Sequence, residues 1–100
     1  MTSNMVSLQV PVSRKTPLDG KLEIPAAAAE QLKVLGADFQ IFAQGAEGRA
    51  RLDAFECTCG KAAGERHVHH FVVSPLLQRL TAGAEVRVEM DLTRGVVRVE

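Results

Sequence analysis

One frame occurs twice in this chain and limits its fold more than any single motif. Ile24-Pro25, an alanine-rich stretch and Leu35-Gly36-Ala37-Asp38-Phe39-Gln40-Ile41 form its first copy. Ser74-Pro75, a short apolar stretch and Ala82-Gly83-Ala84-Glu85-Val86-Arg87-Val88 form the second. Proline opens a helix without wasting an N–H, glycine closes it, and the alternation that follows has the period of a strand. The second copy is three residues shorter from proline to glycine, so the two agree in layout rather than residue by residue. Each copy reads as strand–strand–helix–strand, and a unit repeated in this way sets an architecture.

Taken in order, residues 5–12 alternate Val6, Leu8, Val10 and Val12 with polar neighbours, which predicts a half-buried strand ending near Pro11. Residues 13–20 read as a loop with a tight turn at Pro17-Leu18-Asp19-Gly20, before a short strand at 21–24. Pro25 is expected as the first residue of a helix over 26–35 that buries Ala28, Leu32 and Leu35 and stops at Gly36. A strand follows at 38–42 with Phe39 and Ile41 inward, and Gly45 and Gly48 turn the chain. After a long hairpin over 49–73, Ser74 caps a short helix over 76–80. Val86, Val88, Met90 and Leu92 define a strand at 85–92, and Thr93-Arg94-Gly95 leads to a last one at 96–99.

A β-β-α-β unit with this Ile-Pro start and Gly-Ala-Asp finish resembles the cradle-loop barrel group. One copy per chain, dimerised, is similar to the swapped-hairpin transcription factors of the AbrB type. Two copies in one chain resemble the double-psi β-barrel, including small bacterial domains of that kind, and the likeness runs from about Met5 to Leu92. The resemblance implies a mainly β fold with two short helices: a six-stranded, double-psi-like closed barrel whose openings the helices cover. The halves fall at about 5–43 and 49–92 of a single domain spanning 1–100, with 96–99 as a terminal strand. Such barrels serve many chemistries, so function has to be read from the site.

That site is the hairpin over 49–73. Both cysteines and all three histidines lie within fourteen consecutive positions, 57–70. Residues two apart on a strand share a face, so Cys57 pairs in direction with Cys59, and His67 with His69. If Cys57 stands opposite His69 and Cys59 opposite His67, the tip is 60–66 and the four form a square. Directly opposed residues are about 4.5–5.5 Å apart, within reach of one tetrahedral ion. Two thiolates and two imidazoles suit Zn²⁺, with iron or copper as looser matches. His70 faces the other way, as a spare ligand or a hydrogen-bonding residue. The one-residue gap in Cys57-Thr58-Cys59-Gly60 departs from a zinc knuckle, which has two residues between its cysteines.

Other readings of the same residues stand beside this one. Buried free cysteines act as small apolar residues, and histidines are tolerated on a hairpin arm near solvent. A Cys57–Cys59 disulfide would span one residue, be strained and be readily reduced. A filled four-ligand shell makes the metal structural, because catalysis needs an exchangeable position. Glu56 and Glu65 flank the cluster, but no acid is fixed beside it by spacing.

Charge narrows the partners. Twelve basic residues balance twelve acidic ones, four against five up to Gly48 and eight against seven after it, so neither part has the excess that phosphate binding requires. Arg14-Lys15 and Arg49 with Arg51 read as solvated faces. No apolar window approaches a membrane span, and the start lacks the basic and apolar regions of a secretory signal. The expected setting is a reducing cytoplasm, where two cysteines are thiols or metal ligands rather than a structural bridge. The sequence therefore points to a small binding or interaction module with a structural zinc and a protein or small ligand as partner. An AbrB-like dimeric DNA-binding regulator and a metal- or thiol-dependent enzyme are the alternatives, and homodimerisation stays open.

Overall fold

Among the described residues seven stretches form strands, most of them by period-two alternation: β1 (Met5–Pro11), β2 (Lys21–Ile24), β3 (Asp38–Ala43), β4 (Ala46–Cys57), β5 (His67–Val73), β6 (Glu85–Asp91) and β7 (Val96–Val99). The computed structural model describes residues 5–57 and 67–100, with the backbone alone at Cys57 and His67. The strands form one sheet in the order β1-β6-β7-β3-β4-β5-β2, antiparallel except where β3 meets β7. The sheet curls into a nearly closed barrel whose two end strands are β1 and β2. A hollow of about 330 Å³, lined by residues 9–13 and 23–25, lies between them.

The expectation of six strands is corrected to seven. β7 does not trail off the barrel but enters it, pairing in parallel with β3 and antiparallel with β6. Val97 and Val99 face inward at 0% and 1% exposure while Arg98 faces out. Burying each valine contributes about 1.5–3 kcal/mol, which favours insertion over a loose tail. The turn before β7 is built locally: Asp91 Oδ1 accepts the N–H groups of Thr93 and Arg94 at 3.2 and 3.1 Å.

Among the described residues two short α-helices accompany the barrel, but they are not both the expected ones. Residues 13–20 are more than a loop, because α1 (Lys15–Asp19) makes one helical turn there. Thr16, fully buried, donates its hydroxyl to the carbonyl of Lys21 at 2.7 Å and so ties the turn to β2. Gly20 closes it at φ 69°, and a Cβ there would lie 2.5 Å from the carbonyl oxygen of Ser74. α2 (Ala26–Leu32) buries Ala28, Ala29 and Leu32 and runs on as a 3-10 turn, Lys33–Leu35, with Leu35 only partly covered. Pro25 is its extended N-cap rather than its first helical residue. The second expected helix is a 3-10 helix, Pro75–Arg79, whose cap Ser74 accepts from the Leu76 N–H at 3.3 Å.

Aliphatic side chains fill the interior, as a chain with no Trp or Tyr requires. Leu22, Leu32, Ile41, Leu77, Val88 and Met90 are each fully buried, drawn from three strands, α2 and the 3-10 helix after β5. Among the described residues no helix is long and apolar enough to cross a membrane.

Candidate metal site on the β4–β5 hairpin

Apolar pairing in the barrel wall determines how the hairpin is aligned. Leu52 of β4 stands opposite Val72 of β5, and Val72 opposite Leu22 of β2. Continuing outward, Ala54 meets His70, Phe55 meets His69, Glu56 meets Val68, and Cys57 meets His67. The expected pairing of Cys57 with His69 and of Cys59 with His67 is therefore corrected by two positions. The physical reason is that register follows the core row, not the ligands. A shift of two keeps parity, so positions 57, 67 and 69 remain on one side of the sheet, together with Phe55 and Phe71. Cys59 and the tip at 60–66 lie outside the described residues.

The hairpin also outruns its neighbours. β3 leaves β4 at Asp38 opposite Arg51, and β2 leaves β5 at Ile24 opposite His70. Beyond those points, among the described residues, β4 and β5 are paired only with each other. Phe55 on one side and Val68 on the other are consequently 59% and 45% exposed.

His69 is held from outside the hairpin. Its Nδ1 lies 2.6 Å from Oε2 of Glu23 on β2, and because a carboxylate oxygen only accepts, the ring nitrogen donates. The His69 ring also lies 6.4 Å from that of Phe71, tilted by 31°. Phe71 is buried although it faces away from the core, since Lys15 and Lys21 lie over its ring at 5.4 and 5.8 Å. Those three residues, Asp19 and Phe55 line a cleft of about 160 Å³ on the same side as His69. Glu23 was not legible as a site residue. It lies 46 positions from His69, and Lys21-x-Glu23 reads only as the polar side of a strand.

His70 faces the core side, opposite Ala54 and Ile24, as its place between His69 and Phe71 requires. The hydrogen-bonding role expected of it is not met at Nδ1, which is buried without a hydrogen-bond partner among the described residues. Neither Glu56 nor any other acid joins His69 in a cluster of three or more metal-binding side chains among the described residues. Away from the hairpin, Arg49 is ion-paired with Asp38, Arg94 with Asp91 at 3.8 Å and Arg87 with Glu89 at 3.9 Å. Among the described residues, two hollows of about 510 and 540 Å³ flank Phe42 and Arg98 on the outer side of β3 and β7, and neither is lined by cysteine or histidine.

Compared with known proteins, the chain matches no family model, no curated protein and no solved structure.

Proposed function

We propose that this chain is a small binding or interaction module in which the β4–β5 hairpin carries a structural Zn²⁺, with Cys57, Cys59, His67 and His69 as its ligands. The observation that carries the reading is the register: Cys57 is directly opposite His67, and His69 follows two residues along on the same side. Opposed strand residues bring their Cβ atoms within about 4.5–5.5 Å, and their diagonal neighbours within about 7–8 Å, distances long side chains close around one ion. The physical need is also specific. A two-stranded ribbon without a third strand is marginal in water, and a metal at its end supplies the tie that β2 and β3 no longer provide. Exposed Phe55 and Val68 on opposite sides of that ribbon favour a partner-binding role over an enzymatic one.

The barrel is read as one of the double-psi, cradle-loop kind built by duplication. Exchanging β1 with β4, β2 with β5 and β3 with β6 turns the β1–β6 pair into the β3–β4 pair and the β2–β5 pair into itself. In that reading β7 is a wedge between β3 and β6, and the separation of β1 from β2 is the one place where the two halves differ in pairing.

Metal analysis of protein purified without a histidine tag tests the functional reading. One zinc per chain is expected, lost in a Cys57→Ser, Cys59→Ser variant. Metal-free protein with two freely reactive thiols would end it.

A further inference from the structure

We propose that the outer edge of β1 is a dimer interface, on which β1 of a second copy of this chain pairs antiparallel about Ser7. It involves no residue of the β4–β5 hairpin and needs no metal. The direction of the backbone groups comes first. Val12 donates its N–H to the Ala84 carbonyl at 2.8 Å, and Arg87 and Glu100 exchange hydrogen bonds on the β7 side of β6 at 2.7 and 2.9 Å. Backbone groups alternate from side to side along a strand, so residues 6, 8 and 10 bond to β6. Met5, Ser7, Gln9 and Pro11 turn theirs to the edge, where Pro11 has no N–H to offer and ends the run.

The two end strands of the sheet differ in how their edges are treated. β2 has four residues, two of them charged, Lys21 and Glu23. The Lys21 carbonyl already accepts the Thr16 hydroxyl, and Pro25 follows the strand. Short length, charge and proline are the usual means of keeping an edge from pairing. β1 has seven residues and no charge. Its core-facing side chains are also short of cover: Val6 and Leu8 are half-buried, while Met90 and Val88 opposite them on β6 are 0% exposed.

A second copy fits because the strand matches itself. Pairing about Ser7 sets Met5 against Gln9 of the copy and Ser7 against Ser7 of the copy, each pair exchanging both of its backbone hydrogen bonds. Between them Val6 meets Leu8 of the copy on the core side, where opposed side chains come closest. Only uncharged side chains meet on the outer side. One patch then serves both chains, as a two-fold interface requires. A contact one strand wide is small beside the roughly 1,600 Å² of a standard interface, so the dimer is a weak one.

Sedimentation equilibrium of the full chain without a tag, from about 1 μM to about 1 mM, is the test. Wild type is expected to pass from monomer to dimer over that range. Ser7→Pro removes an N–H that β6 does not use and is expected to stay monomeric with an unchanged far-UV circular dichroism spectrum. Ser7→Lys decides without touching the backbone: it sets two like charges face to face in the dimer, but lies opposite Glu89 in the monomer. Dimerisation is expected to weaken about fivefold, the upper end for like charges directly opposed on a sheet, and to recover when Ser7→Lys is mixed with Ser7→Glu. Wild type that stays monomeric at about 1 mM overturns the proposal and leaves the edge to a strand of another protein. A dimer as strong in Ser7→Lys as in wild type overturns it as well, because the contact would then lie elsewhere.

Discussion

Leu52 of β4 and Val72 of β5 stand directly opposite each other on the core side of the sheet, and this pair sets where Cys57 meets β5. Val72 is 1% exposed and is flanked on its other side by Leu22 at 0%. Sliding β5 by one residue would turn Val72 outward, and sliding it by two would leave Leu22 and Leu52 without their partner. The alignment at the hairpin's outer end is thus inherited from three aliphatic side chains in the barrel wall.

Leu22→Ala tests that dependence. Removing a fully buried leucine leaves a cavity as well as losing transfer energy, and is expected to cost about 2–5 kcal/mol in a denaturant titration. Against a total near 5–15 kcal/mol that is a large share. A loss under about 1 kcal/mol would show that the row does not organise the wall.

Gly20 and Gly45 separate backbone strain from close approach. Both have positive φ, 69° and 78°, but a Cβ at Gly45 meets nothing within 4 Å while one at Gly20 lies 2.5 Å from Ser74 O. Gly45→Ala is expected to lose only the left-handed penalty, about 1–2 kcal/mol. Gly20→Ala should lose clearly more, since α1 and Ser74 must also move apart, and comparing the two melting curves decides it.

Removing residues 95–100 asks whether β7 belongs to the barrel. It strips β3 and β6 of a shared neighbour and uncovers the sites of Val97 and Val99. Loss of the cooperative thermal transition is the expected result. A shortened chain melting as the full one does would restore the six-stranded description.

The strands were legible because alternation is a local signal: Val86, Val88 and Met90 are buried in β6 and their neighbours are not. What alternation lacks is register. Aligning the hairpin by its ligands puts it two positions out, because the row that sets the register includes Val72 with Leu22, which joins strands far apart in the chain. The helical turn at Lys15–Asp19 was missed for a related reason, since it depends on Thr16 reaching the Lys21 carbonyl as well as on turn composition. β7 was visible as a strand following a turn from β6, yet its pairing with β3 was not, because parallel pairing leaves no nearby turn to announce it. Glu23 and His69 illustrate the same limit at the site.

Phe55→Ser addresses the ribbon's role. At 59% exposure the side chain contributes little to folding, so stability should change by no more than about 0.5 kcal/mol. A drop of 2 kcal/mol or more, roughly what full burial of a phenylalanine supplies, would mean that Phe55 serves the fold rather than a partner.

X-ray absorption at the zinc edge, on zinc-loaded protein without a tag, addresses the central claim most directly because it reads the ligand atoms themselves. The account predicts a shell with sulfur at about 2.3 Å and imidazole nitrogen at about 2.0–2.1 Å, the sulfur vanishing in the Cys57→Ser, Cys59→Ser protein. A shell of oxygen and nitrogen alone would contradict it.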